Sequence, residues 1–194
     1  MLQRDVDDLR TGQDVVRDDG GCADDSHVSQ VQAVVANDVL SRAEIVNVAL
    51  DQCDIAGLVG RECRASRVHV TESRLRGITW MAGMLEDVVL ESVTGSDVSV
   101  RFSTLRRVVF RDCVLPGLDF TEATLDDVRL ERCVVHGARF HGARVRSLRI
   151  EGCDLAGCTG AESLAGASVH PDDLLSLGPS LASALGLTVR GDDA

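Results

Sequence analysis

Two residue types are missing from this 194-residue chain, which contains no lysine and no tyrosine. Only 3% of its residues are aromatic, which disfavours a core held together by aromatic packing and indicates that mainly aliphatic side chains fill the interior. All 20 basic residues are arginine, against 31 acidic residues and a formal net charge of −11. This acidity disfavours a conventional nucleic-acid-binding protein, because phosphate contacts need a basic surface.

Membrane and export signals are also missing. No run of about 18 apolar residues occurs, as a membrane-spanning helix would need, and residues 1–20 lack the apolar stretch of a secretory signal. The seven cysteines are an odd number without a C-x-x-C pair. Together these features indicate reduced thiols in a cytoplasmic protein.

A repeat of five residues organises the chain. From Leu40 to Leu155, every fifth residue is uncharged and non-polar, which gives 24 positions in one register. A second track, two residues earlier in each pentad, also carries no charge and holds mostly small or β-branched residues. A period of five fits neither the 3.6 of a helix nor the 2 of a strand, so it predicts a solenoid with sides about five residues long.

These tandem pentads resemble the pentapeptide-repeat family, whose loose consensus is A-(D/N)-L-x-x. The best matches are Cys153–Gly157, Cys53–Gly57 and Leu118–Glu122, and the resemblance covers about Leu40 to Leu155. It implies an all-β fold, a right-handed quadrilateral parallel β-helix with four pentads per coil.

A coil of four pentads predicts that features recur every 20 residues, and two columns do so. One corner column is Gly57, Gly77, Asp97, Gly117, Gly137 and Gly157, and the inner track carries Cys53, Cys113, Cys133 and Cys153. Recurring glycine at one corner predicts a turn with positive φ. The 24 centres give six coils, roughly 29 Å long at about 4.8 Å per coil, with a further coil expected at each end.

The sequence divides into an acidic N-terminal tail over 1–27, a β-helix over 28–168, and a C-terminal helical cap and tail over 169–194. A cap is expected because the end of a solenoid exposes an apolar ring and unpaired strand edges. The candidate cap is a stripe of leucines at helical spacing, Leu174, Leu177, Leu181 and Leu185. The stripe either covers the last coil or packs against a second subunit, so the chain is a monomer or a C-terminally mediated homodimer. Gly178-Pro179 is expected to break or kink this helix.

No residue set predicts a catalytic, cofactor or metal site. Six cysteines lie on the inner track, where cysteine acts as a small apolar residue, and a metal or redox role is the weaker alternative. His136 and His141 take outward positions without an obvious carboxylate partner, so they are expected to be solvent-exposed. No phosphate-binding glycine loop or hydrolase motif is present.

Paired carboxylates occur twice, at Glu86-Asp87 and at Asp126-Asp127. They fall on one face two coils apart, with Arg106-Arg107 on the coil between them. This order predicts a charge ladder that holds the coils in register. General acid–base catalysis would need desolvated, unequal carboxylates in a cleft.

Two functions remain in competition. The leading one is a non-catalytic protein-binding or scaffold module with an unknown protein partner and no direct nucleic-acid or membrane contact. Its candidate binding patch is Met81, Met84 and Phe102, on neighbouring outward positions.

The alternative follows from the family resemblance. Some members are DNA mimics linked to fluoroquinolone resistance, which bind DNA gyrase or related topoisomerases. The charge distribution weighs against this alternative, because residues 40–160 carry a net charge of only −1 while 1–39 carry −6 and 161–194 carry −4. The acidity belongs mainly to the two ends rather than to the rod.

Overall fold

The chain forms a solenoid of parallel β-strands with about seven turns and one short C-terminal helix. The structure is a computed structural model, and it describes residues 29–31 and 34–187. The predicted all-β solenoid is therefore confirmed. The predicted tail over 1–27 lies outside the described residues. In chain order the described strands are β1 (Ser29–Val31), β2 (Val34–Ala36), β3 (Val39–Ser41), β4 (Glu44–Asp51), β5 (Asp54–Ala56), β6 (Val59–Arg61), β7 (Arg64–Thr71), β8 (Arg74–Arg76), β9 (Thr79–Met81), β10 (Met84–Glu91), β11 (Thr94–Ser96), β12 (Thr104–Arg111), β13 (Thr124–Glu131), β14 (Arg144–Val145), β15 (Leu148–Glu151) and β16 (Ser168–Val169).

The strands stack into three parallel sheets. A wide sheet has the order β1-β4-β7-β10-β12-β13-β15-β16, with β14 also paired to β13; it covers two faces of the solenoid. The other two faces carry the sheets β11-β8-β5-β2 and β3-β6-β9, which continue as isolated bridges in the later coils. Leu85 pairs with Ala65 on one side and Leu105 on the other, so each coil is 20 residues long, as predicted.

Left-handed backbone marks nearly all of the described corners, and Ser147 is an exception. From Asn37 to Gly142, each fifth residue has positive φ, and this includes the predicted glycine column. Seventeen of the described corner residues are not glycine, which the sequence pattern did not indicate. The corner amides bond to the next coil, as from the Glu62 N–H to the Met81 carbonyl oxygen at 2.9 Å. Coil stacking therefore holds a conformation that L-residues otherwise avoid.

The two apolar tracks form one continuous core. Phe120 is 1% exposed and stacks on Phe140, with ring centroids 5.3 Å apart. Trp80 fits inside because its neighbours are glycines: a Cβ on Gly60 would lie 2.6 Å from the Trp80 ring, and one on Gly83 would lie 2.5 Å from the indole nitrogen. Small residues next to Trp80 thus make room for the largest side chain of the core.

The C-terminal end changes structure at residue 161. Two 3-10 helices, Ala161–Leu164 and Pro171–Asp173, lead into α1 (Leu174–Ala184). α1 is continuous through Pro179, so the expected break into two short helices is wrong. No helix of the described residues is long and apolar enough to cross a membrane.

Side chains from this segment close the last coil. The Cys153 N–H donates to Asp173 Oδ1 at 3.0 Å, and the Leu155 N–H donates to Ser176 Oγ at 3.1 Å. Leu177 is 1% exposed, and Leu181 is partly buried against the core. Two strand-edge donors and the apolar ring are therefore covered by this segment.

Candidate functional site

The Glu86-Asp87 pair forms the predicted charge ladder with Arg106-Arg107, whereas Asp126 pairs with Arg146 of the following coil at 3.7 Å. Glu86 is in register with Arg106, which is in register with Asp126. Arg107 donates to Glu86 Oε1 at 2.8 Å and to Asp87 through its Nε at 2.5 Å. The hydrogen bond from Arg107 lowers the pKa of Asp87 and raises that of the arginine. Asp87 is therefore held ionised by arginine, which does not suit it to proton transfer.

The stacked cysteines are buried free thiols. The side-chain hydrogen bond with Cys113 raises the pKa of Cys133 to about 11, and the same bond lowers the pKa of Cys113. The hydrogen bond with Cys133 and burial both raise the pKa of Cys153. Among the described residues, no group of three or more potential ligands is placed to hold a metal ion.

The outward histidines have carboxylate neighbours, which corrects the expectation that none faces them. His136 Nε2 lies 2.7 Å from Asp154 Oδ2, and His141 Nδ1 lies 3.7 Å from Glu162 Oε1. Both histidines are exposed, as expected. The hydrogen bond from His136 lowers the pKa of Asp154. Each pair joins neighbouring coils, so these histidines extend the ladder pattern to the other faces.

One surface depression lies on the face of β3, β6 and β9, which we call the Asp119 face. Its volume is about 530 Å³. It is lined by Thr79, Met81, Asp97, Val98, Ser99, Arg101, Phe102, Gly117, Asp119 and Arg139. Asp119 bridges to Ser99 in the preceding coil and to Arg139 in the following coil, so the 20-residue coil length brings these three side chains into one row.

Asp119 is the buried carboxylate of this face, with 7% of its side chain exposed. Its Oδ1 accepts hydrogen bonds from the Thr121 N–H at 2.9 Å and the Thr121 hydroxyl at 2.5 Å. Its Oδ2 lies 3.4 Å from Arg139 Nη1 and 3.8 Å from Arg101 Nε. One carboxylate therefore sits between two guanidinium groups, and the cluster of three carries a net positive charge.

Phe102 forms the apolar part of the depression together with Met81. It is a corner residue with φ of 57° and an exposure of 50%, and the Arg101 guanidinium carbon lies 5.4 Å from its ring centroid. Of the described non-glycine residues with positive φ, Phe102 alone is aromatic. A bulky residue in this backbone region is unusual and costs about 1 kcal/mol or more.

The structure brings together two of the three residues in the candidate patch. Met81 and Phe102 both line the depression, whereas Met84 begins β10 on the adjacent face and does not line it. Sequence reasoning missed Asp119, Arg101 and Arg139. The 20-residue coil length could have placed Asp119 beside Arg139, because the two residues are 20 positions apart in the sequence.

The candidate leucine stripe is divided between core and surface. Leu177 and Leu181 pack against the last coil, while Leu174 is 47% and Leu185 is 76% exposed. Leu175, outside the stripe, is 87% exposed. The helix therefore presents a second apolar surface to solvent after covering the core.

Comparison with known proteins identifies the repeat. The family model for pentapeptide repeats, in eight copies, matches residues 96–132. QnrB1, a plasmid-mediated fluoroquinolone resistance protein, aligns with 82% of this chain and 100% of its own at 14% identity and a TM-score of 0.36. The pentapeptide-repeat protein Rfr23 from the cyanobacterium Cyanothece 51142 aligns with 72% of this chain and 88% of its own at 13% identity and a TM-score of 0.26. The search of curated proteins found no match to the chain.

Proposed function

The chain belongs to the pentapeptide-repeat family, and we propose that it is a non-catalytic cytoplasmic protein-binding module whose partner docks on the Asp119 face. The solenoid supports this proposal because its coils keep one register and offer flat, rigid faces. A rigid surface loses little conformational entropy when a partner binds.

Phe102 is the observation that carries the proposal. Exposed apolar residues are common and need no explanation when they are scattered. Phe102 differs because its ring is half exposed, lines a depression and lies against the Arg101 guanidinium group. The equivalent corners in the adjacent coils carry Ala82 and Glu122, so the ring of Phe102 is a feature of this coil and not of the corner column.

The experiment is differential capture from an extract of the source organism. Phe102→Asn removes the ring and suits the left-handed corner, so it keeps the fold. Val114→Thr is the control, because Val114 is 43% exposed on a different face. We expect a partner that the wild type and Val114→Thr retain and that Phe102→Asn loses. Equal capture by all three proteins would contradict docking on this face.

A DNA mimic that binds gyrase or another topoisomerase is the competing function, and its surface should be continuously anionic. Six successive 20-residue coils from residue 40 to 159 have net charges of −2, +3, −4, +2, −1 and +1. This alternation does not reproduce a row of phosphates. Purified protein is therefore expected neither to inhibit gyrase supercoiling nor to protect gyrase from a fluoroquinolone, and either effect at micromolar concentration would favour the mimic.

A further inference from the structure

We propose that the depression on the Asp119 face binds an acidic side chain of an extended partner segment, together with an apolar side chain next to it. Arg101 and Arg139 bind the carboxylate, and Met81 and Phe102 contact the apolar residue. This inference rests on the proposed function, since it names the chemistry of the partner at that site.

The arrangement of Asp119 leaves both arginines able to bind a second carboxylate. Thr121 occupies one oxygen of Asp119, and the two guanidinium groups share the other at 3.4 and 3.8 Å. Each guanidinium has five N–H donors, so a single shared oxygen uses few of them. Arg101 is 47% and Arg139 is 57% exposed, which leaves their remaining donors accessible to a ligand.

Asp119 also positions the two cations. It lies between one arginine from the preceding coil and one from the following coil, and its charge offsets their mutual repulsion. Asp97 also lines the depression and balances the remaining positive charge, so an incoming carboxylate would be held by the unused arginine donors and not by an excess of positive charge. Arginine and carboxylate form two parallel hydrogen bonds in their preferred geometry, which favours a carboxylate of defined orientation.

The apolar part of the site lies directly beside the cations. Arg101 stacks on the Phe102 ring, and Met81 lines the same depression. A segment that places a carboxylate on the arginines therefore brings its neighbouring residue onto Phe102. The volume of about 530 Å³ falls within the roughly 300–1,000 Å³ of small-ligand pockets, which suits a few side chains of a segment.

The floor supplies a further polar group. Ser99 lines the depression, and its hydroxyl is buried without a hydrogen-bond partner among the described residues. Asp97 and Asp119 are also in the lining, and their charges oppose a polyanion such as a nucleic acid. A phosphate group alone would make no use of Met81 and Phe102. A peptide with one carboxylate beside an apolar residue uses both the arginine donors and the apolar side chains of the site.

The test is selection of a random linear-peptide library on the immobilised full-length protein, followed by affinity measurement of the enriched peptides. We expect these peptides to share aspartate or glutamate next to an aliphatic or aromatic residue. Replacing that acid with its amide, or replacing Arg101 and Arg139 together with glutamine, should weaken binding by about tenfold or more. The matched control replaces Arg74 and Arg144, two exposed arginines on other faces, and should bind like the wild type.

Several results would overturn the inference. They are no enrichment over empty matrix, a consensus without an acid, or equal binding by the Arg101→Gln/Arg139→Gln variant. Displacement of the peptides by inorganic phosphate at equal concentration would instead assign a simple anion site. Peptides that need Phe102 but no acid would remove this inference and leave the proposed function standing. The proposed function itself fails if Phe102→Asn leaves capture from the extract unchanged.

Discussion

Replacing Phe120 with alanine should destabilise the solenoid strongly, because this ring joins three coils. Phe120 is 1% exposed, stacks on Phe140 at 5.3 Å, and meets Phe110 edge-on at 6.0 Å. Truncating a buried phenylalanine to alanine costs about 3–5 kcal/mol, and two aromatic contacts place this site at the upper end. Since domains are stable by about 5–15 kcal/mol, the change should remove a third or more of the total.

The assay is urea unfolding followed by far-UV circular dichroism and by the fluorescence of Trp80, the single tryptophan. Trp80 lies two coils before Phe120 in the same inner column. Its fluorescence therefore reports whether the loss of stability at Phe120 spreads to neighbouring coils. Phe120→Leu is the control, since it keeps most of the volume and should cost less than about 1.5 kcal/mol. A cost below about 1 kcal/mol for Phe120→Ala, or equal costs for both variants, would refute the stacked core.

Three further predictions address the thiols, the charges and the C-terminal helix. In a Cys22→Ser variant, the remaining thiols should react with a thiol reagent only after unfolding, because they are buried and the pKa of Cys133 is raised to about 11; rapid reaction of the native protein would contradict this. Arginine hydrogen bonds lower the pKa values of Asp87 and Asp112, so their stabilisation is complete above the ordinary carboxyl pKa of about 4 and is lost as the pH falls through the lowered values. The melting temperature should therefore drop in acid, and less steeply when both residues are asparagine. Finally, we expect a homodimer through the exposed C-terminal leucines, which Leu175→Glu converts to a monomer in light scattering; a monomeric wild type at high concentration would exclude it.

The fold was predictable because its rule is local and repeats. One apolar residue in five, without an insertion from Leu40 to Leu155, determines which positions face inward, and the glycine column gives the coil length. The left-handed backbone at the other corners was not predictable from residue preference. Arg107, Glu122 and similar residues disfavour positive φ in isolation. Hydrogen bonds to the next coil override that preference, and they exist only once the stack has formed.

The candidate site was predictable only in part. Outward apolar residues pointed to Met81 and Phe102, because composition and position are enough to mark an exposed apolar side chain. The Asp119 cluster depends on distances between coils: its charged groups are 18 and 20 residues apart in sequence but meet at one carboxylate oxygen. Each of these three residues lies in a different pentad, where it is an ordinary surface charge, so the pentad pattern does not indicate that they meet.

This architecture also limits where a function can evolve. Inward positions are occupied by the core, and many outward charges pair with the adjacent coil, as Arg132 does with Asp112. A binding site therefore needs outward side chains whose donors exceed what the neighbouring coil accepts. Arg101 and Arg139 meet this condition. Asp119 uses one oxygen to accept two hydrogen bonds from Thr121, so it offers the two arginines only its other oxygen. The surplus of arginine donors, rather than the overall acidity, distinguishes this face from the balanced ladder on the wide sheet.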